Sequence, residues 1–210
     1  EKSGYNFFSN SDTEVLIAAW DKWGEDALEH ISGMYAFAIW DKSNKQLTLI
    51  RDPYGKKPLF YSINNNIIAF ASDLRSLENI IDCGEINPLA VESLFKYRFI
   101  YDPLSIYKNV HKLQPGHIIK FTSENIKLRK WYNLNSLTNN TNNKPIIYAK
   151  LRDYFDIAVK RRMISDVDLG VFLSGGLDSS LIVSSLAEQG YSLPCFTMGF
   201  EGASDYYEER

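Results

Sequence analysis

Ser174-Gly175-Gly176-Leu177-Asp178-Ser179-Ser180 is the stretch on which the reading of this chain turns. Directly ahead of it runs Leu169-Gly170-Val171-Phe172-Leu173, an apolar run with the length of a buried strand. Behind it, residues 181–190 read as a helix that ends at a glycine. A strand, a glycine-rich turn and a helix bring the free N–H groups of a helix N-terminus to one point, where an anion can sit. Gly175 and Gly176 let the backbone turn sharply and approach a ligand without Cβ clashes. Ser174, Ser179 and Ser180 add hydroxyl donors, and the Asp178 carboxylate can reach a bound divalent cation. A bare carboxylate repels phosphate oxygens, so Asp178 points to a bridging Mg²⁺. The stretch therefore reads as a phosphate or pyrophosphate site. A plain helix cap is the bland alternative, but two glycines with four Ser and Asp side chains after an apolar strand are more than a cap needs. The run is neither a Walker A loop nor a dinucleotide fingerprint.

Upstream, Ile147, Leu151, Tyr154, Phe155, Ala158 and Arg162 fall mainly on one helical face. That helix leads through Ser165-Asp166-Val167-Asp168 into the strand. Downstream, residues 193–200 read as a second strand, parallel to the first, which makes a βαβ unit. Two parallel strands are few for a nucleotide domain, so that domain is expected to be incomplete at Arg210. Before the helix, residues 133–144 form a polar, Asn-rich run that cannot build a core and reads as a linker. The expected division is 1–134, a linker at 135–145, and 146–210.

The first part mixes helices with antiparallel strands. Ser11 and Glu14 have capping-box spacing, and Val15, Leu16, Ala19, Trp20 and Trp23 predict a helix over 12–23. A second helical piece is expected over 25–31. Residues 34–41 and 46–52 read as one hairpin, and 57–63 with 67–72 as another. Short helices follow at 73–81 and 88–97, with Pro88 in the first turn of the latter. Strands at 118–121 and 126–132 complete the pattern. It is an α+β layered domain followed by the start of an α/β parallel sheet.

Composition narrows the classes. Of the 210 residues, 45% are hydrophobic and 14% aromatic, which suits a folded rather than a disordered chain. A net charge of −3 without a dense Lys/Arg cluster argues against a nucleic-acid surface. No apolar run has the length to cross a bilayer, so no membrane partner is expected. Cys83 and Cys195 are far apart and form no C-x-x-C unit, so both read as reduced, partly buried thiols of a cytoplasmic protein.

Ser174 to Ser180 resembles the SGGxDS signature of the PP-loop ATP pyrophosphatases. Several further stretches stand in family order. They are Ser11-Asp12-Thr13-Glu14, Gly33-Met34-Tyr35-Ala36-Phe37-Ala38-Ile39-Trp40-Asp41, Arg51-Asp52-Pro53-Tyr54-Gly55-Lys56-Lys57-Pro58-Leu59, Phe70-Ala71-Ser72-Asp73 and Lys112-Leu113-Gln114-Pro115-Gly116-His117. Together they resemble the glutamine-hydrolysing asparagine synthetases, in which a class II, Ntn-type glutamine amidotransferase domain precedes a PP-loop synthetase domain.

The resemblance implies an ATP- and Mg²⁺-dependent carbon–nitrogen ligase. Ammonia from glutamine would attack an acyl-AMP made from aspartate or from another carboxylate, such as a sugar uronate. A fragment that keeps only the fold is the third reading. By resemblance Asp12 holds the α-amino group of glutamine, while as a residue of this sequence it serves equally as first-turn helix charge. Ser174, Gly175, Gly176, Leu177, Asp178, Ser179 and Ser180 would bind ATP pyrophosphate, with Asp178 on the metal. Phe172 and Met198 would line the adenine nucleotide through backbone while being core strand residues. Arg51 and Asp52 read as structural residues at a sheet end. The family's nucleophilic N-terminal cysteine, its partner arginine and its oxyanion segment would all precede Glu1, so no catalytic residue is assigned within these residues. A homodimer is admissible.

Overall fold

The computed structural model describes residues 4–65, 67–134 and 144–199. Its contacts divide the chain into two units, Glu1–Thr138 and Asn139–Arg210.

The first unit opens with α1 (Asp12–Trp23), capped by Ser11, whose Oγ accepts the Thr13 N–H at 3.2 Å. The expected capping box closes differently. Ser11 N–H goes to Ser9 Oγ at 3.2 Å, so Glu14 reaches further back and accepts the Phe8 and Ser9 N–H groups at 2.9 and 2.8 Å. At Gly24 the backbone turns to φ 56°, which ends α1. The second helical piece is a tight 3₁₀ segment, Gly24–Glu29, rather than the helix expected over 25–31.

Two antiparallel sheets follow. The first has the order β1-β2-β6-β7, with β1 (Ala36–Asp41), β2 (Gln46–Arg51), β6 (His117–Phe121) and β7 (Ile126–Lys130). The second has the order β4-β3-β5, with β3 (Phe60–Asn64), β4 (Ile67–Ala71) and β5 (His111–Lys112). Both expected hairpins form, the first in register Asp41 opposite Gln46 and the second Asn64 opposite Ile67. Strand β5 is too short to carry a period of its own and was not expected.

Side-chain parity sorts the strands into layers. Leu47, Leu49 and Ile119 of the first sheet meet Tyr61 and Ile68 of the second, with Leu59 and Leu113 just beyond the ends of β3 and β5, so the sheets pack face to face. On the other side of the first sheet, Ile50 and Ile118 pack with Leu28 and with Trp20 of α1. On the other side of the second, Phe60, Ala69 and Ala71 pack with Leu77 of α2 (Leu74–Glu78) and with Val110. The layer order is helix, sheet, sheet, helix. Strand β2 lies inside two layers, which is why it shows no polar alternation: Leu49 and Ile50 are both fully buried. Helix α3 (Pro88–Tyr97) starts at Asn87, whose Oδ1 caps Leu89 N–H at 3.1 Å, with Pro88 at the first position.

In the second unit, α4 (Lys144–Arg161) precedes β8 (Val171–Phe172), α5 (Leu177–Glu188) and β9 (Cys195–Phe196). Strands β8 and β9 pair in parallel, Val171 opposite Cys195 and Phe172 opposite Phe196, with α5 as the crossover. Both strands are shorter than expected. Residues 135–143 of the expected linker lie outside the described residues, and 144 and 145 belong to α4.

Two expectations are corrected here. Phe172 and Met198 are not core residues: they are 86% and 79% exposed, because this two-strand ladder has no described layer over the face they occupy. Cys195 is exposed rather than partly buried, whereas Cys83 is buried; both are free thiols.

Candidate functional site

In the first unit a cleft of about 850 Å³ opens between the first turns of α1, the run from His30 to Phe37, the Lys57–Pro58 peptide and Ser72. Asp12 stands on its wall because Ser11 starts α1 one residue earlier, which sets Asp12 in the first turn. Its carboxylate is exposed, and a Thr13 hydroxyl at 3.4 Å is the neighbour it accepts from. Leu16, Ile31, Met34, Phe37 and Pro58 make the rest of the wall largely apolar, and Lys57 lines it too. A carboxylate among apolar side chains suits a small polar molecule with an aliphatic body.

The cleft rests on a buried polar knot that sequence reasoning left as sheet-end structure. Arg51 is 7% exposed, and its guanidinium donates to the carbonyls of Lys57 (2.9 Å), Gly55 (2.8 Å) and Leu113 (2.5 Å) and to Asp102 Oδ2 (2.9 Å). Asp52 is fully buried, and its carboxylate accepts the N–H groups of Tyr54, Lys56 and Lys57, each at 3.0 Å. Asp52 N–H also donates to the carbonyl of Tyr35, a cleft residue, at 2.9 Å. The Arg-Asp-Pro-x-Gly spelling signals a turn, but the partners 51 and 62 residues away leave no local signal. Tyr35 itself has a buried hydroxyl without a hydrogen-bond partner; burial, then the Asp52 charge, pushes its pKa up to about 12.

In the second unit, the stretch from Ser174 to Ser180 divides between loop and helix. Helix α5 begins at Leu177, four residues earlier than its apolar spacing implied, so Leu177, Asp178, Ser179 and Ser180 form its first turn. Gly176 is the cap and supplies no side chain. The first helical bond runs from Ser180 N–H to the Gly176 carbonyl at 3.1 Å, which leaves the N–H groups of Leu177, Asp178 and Ser179 at the open end. Gly175 sits at φ 88°, a conformation only glycine adopts freely. Ser174 and Ser179 hydroxyls lie 3.1 Å apart, and Ser174 Oγ accepts Gly176 N–H at 3.3 Å, so the turn is braced by its own serines.

This chemistry fits a phosphate-borne Mg²⁺. Among the described residues no group of three or more His, Cys, Asp or Glu side chains could hold a metal unaided. Mg²⁺ typically takes one or two carboxylates and completes its octahedron with phosphate oxygens and water. Asp178 supplies one such carboxylate beside an open helix N-terminus. Phe172 and Met198 flank this turn in sequence, with Phe172 on β8 against Phe196 at a ring distance of 6.4 Å.

The first unit is thus a layered helix–sheet–sheet–helix body with an acid-bearing cleft, and the second a parallel strand pair with a glycine–serine turn. The chain belongs to the glutamine amidotransferase domain family, whose model matches residues 1–132. Residues 150–210 match the asparagine synthase family model. The chain is 36% identical over 202 residues to asparagine synthetase (glutamine-hydrolysing) 1 of Bacillus subtilis, covering 96% of this chain and 32% of that protein. It is 30% identical over 212 residues to asparagine synthetase (glutamine-hydrolysing) 3 of the same organism, covering 98% and 34%. It thus spans about a third of the length of these relatives. A glutamine phosphoribosylpyrophosphate amidotransferase from B. subtilis superposes with a TM-score of 0.41 at 17% identity over 93% of this chain and 41% of that one, too loosely to bear on the fold. Among the described residues no helix is long and apolar enough to cross a membrane.

Proposed function

We propose that this chain is the glutamine-binding half, and the opening of the ATP-binding half, of a cytoplasmic asparagine synthetase-type ligase. The observation that carries the reading is Asp12 on the wall of the 850 Å³ cleft, inside the 1–132 match to the amidotransferase family. The layered first unit then serves as an Ntn-type glutaminase scaffold and the second as the start of a PP-loop domain. Asp12 accepts the α-ammonium of glutamine, and the apolar wall takes its methylenes. Neither Cys83 nor Cys195 lines the cleft, so these residues bind and orient the amide rather than attack it.

ATP, bound with Mg²⁺, supplies activation of the aspartate carboxylate as an acyl-AMP, which turns a poor leaving group into a good one. The N–H groups of Leu177, Asp178 and Ser179 bind and orient the pyrophosphate oxygens, and the Ser174 and Ser179 hydroxyls fix the turn that presents them. Asp178, in the first turn of α5, would supply a carboxylate to the metal. The test is a pair of assays on the full-length protein: glutamine hydrolysis, and aspartate-dependent exchange of pyrophosphate into ATP. Both activities are expected. Exchange driven by a different carboxylate, with none from aspartate, would move the acceptor and leave the cleft assignment standing.

A further inference from the structure

We propose that Arg51 and Asp52 are positioning residues for the cleft, acting as a two-sided clamp on the backbone of Lys57. The inference rests on the reading of the cleft as a glutamine site and adds to it the residues that set its rim. Both hydrogen-bonding groups of Lys57's own backbone are held: its N–H by Asp52 Oδ2 at 3.0 Å and its carbonyl by Arg51 Nε at 2.9 Å. Lys57 and Pro58 line the cleft together with Asp12. Neither Arg51 nor Asp52 lines the cleft, so any effect on a ligand passes through this peptide.

The clamp is stiff because it is buried and fully occupied. Arg51 is anchored away from the cleft by Asp102 and by the Leu113 carbonyl, so its fork cannot swing with the loop. Asp52 is tied to the cleft residue Tyr35 through its own N–H and to Gly116, directly ahead of β6, whose N–H its carbonyl accepts at 2.9 Å. Two adjacent residues at the end of β2 thus fix the spacing between the Tyr35 wall and the Lys57 rim. An oriented-binding site depends on such spacing, and misplacement by about 1 Å can lower a rate by roughly a hundredfold.

Gly55 provides a way to loosen the clamp without touching the cleft. It sits at φ 63°, and a Cβ there would meet Pro115 Cγ at 2.7 Å and the Arg51 guanidinium carbon at 3.0 Å. Gly24→Ala is the matched control, since Gly24 is at φ 56° with nothing within 4 Å of a new Cβ. It carries the backbone strain without the collision.

The experiment measures glutamine KM and kcat of the full-length protein, with thermal midpoints, at a temperature where every variant is folded. Gly55→Ala and Arg51→Lys are expected to raise KM about tenfold, while Gly24→Ala stays within about twofold. A merely structural role lowers the midpoint and leaves KM of the folded enzyme unchanged, and that result overturns the proposal. So does an equal rise in KM for Gly24→Ala. Gly55→Ala alone decides the matter if Arg51→Lys does not fold. Wild-type protein that consumes no glutamine is a different failure: it removes the reading of the cleft itself.

Discussion

Asp156 on α4 and Ser185 on α5 hold each other through a hydrogen bond of 2.5 Å, the Ser185 hydroxyl donating to Oδ1. The other oxygen takes Arg152 Nε, one turn earlier on α4, at 2.9 Å. Gln189 Nε2 closes the junction by donating to the Asp156 carbonyl at 3.1 Å and to Ser185 Oγ at 3.0 Å. Ser185 is 1% exposed, so this small polar group of a helix rich in small residues is satisfied in the interface rather than left to water.

The Ser185 hydroxyl, then Arg152, holds the Asp156 carboxyl below its ordinary 3.8. With the folded pKa depressed, the unfolded chain binds the proton first as pH falls. The contribution of Asp156 is therefore fully present above about pH 4 and is lost as pH drops through the folded value. Thermal midpoints of wild type and Asp156→Asn should converge on the acid side and diverge above it. A constant gap across that range would mean the carboxylate is not what links α4 to α5.

Asp12→Asn keeps the shape of the side chain and removes its charge. If the carboxylate takes the α-ammonium of glutamine, KM should rise at least about tenfold, the equivalent of about 1.4 kcal/mol. Stability should change by no more than about 0.3–1 kcal/mol, the worth of a first-turn charge on the helix dipole. The alternative, helix charge alone, predicts the small stability change with KM untouched. Steady-state kinetics and a melt on one preparation separate the two.

Asp178→Asn should lower ATP–pyrophosphate exchange in the complete enzyme on the order of a hundredfold, from loss of a metal-anchored charge in the transition state. The fold should barely respond, because the turn is braced by Ser174 and Ser179 and not by Asp178. Exchange at the wild-type rate would return this stretch to the status of a helix cap.

Tyr35 is expected to keep its proton to about pH 12, while the unfolded chain releases it near 10. Its raised folded pKa means that full stability persists below about pH 10 and is lost as pH climbs towards 12. Tyr35→Phe deletes a buried hydroxyl that has no partner. It should stabilise the fold by about 1 kcal/mol at neutral pH and shallow the alkaline decline. Chemical denaturation at pH 7 and pH 11 reads both effects; a destabilised Phe variant would reveal a hydrogen bond that the hydroxyl makes in solution.

Local chemistry made much of this protein legible in advance. Ser11, Pro88 and the four residues between β1 and β2 act on neighbours within four residues, so α1, α3 and the first hairpin lie close to where their spelling puts them. The glycine–serine turn was legible for the same reason, since its hydrogen bonds all close within five residues. Asp12, by contrast, was singled out through resemblance to a family, since its local position announces only a first-turn helix charge.

Other features depend on partners remote in sequence. Strand β5 is two residues long and exists because Phe60 and Tyr61 pair with Lys112 and His111. Nothing in the spelling of β2 says which of its apolar residues faces a sheet and which a helix; the packing of two layers on it decides that. Burial of Phe172 was misjudged because an apolar residue in a strand is covered only if another element lies over it, a property of the whole assembly of layers rather than of the strand. Arg51 and Asp52 show the division most plainly. Their order in the chain announces a turn, but Asp102, Leu113 and Gly116 reach them only through the folding of both sheets. Short-range hydrogen bonds are written in the order of residues, whereas the burial that gives a charged pair its rigidity is created only when distant segments close around it.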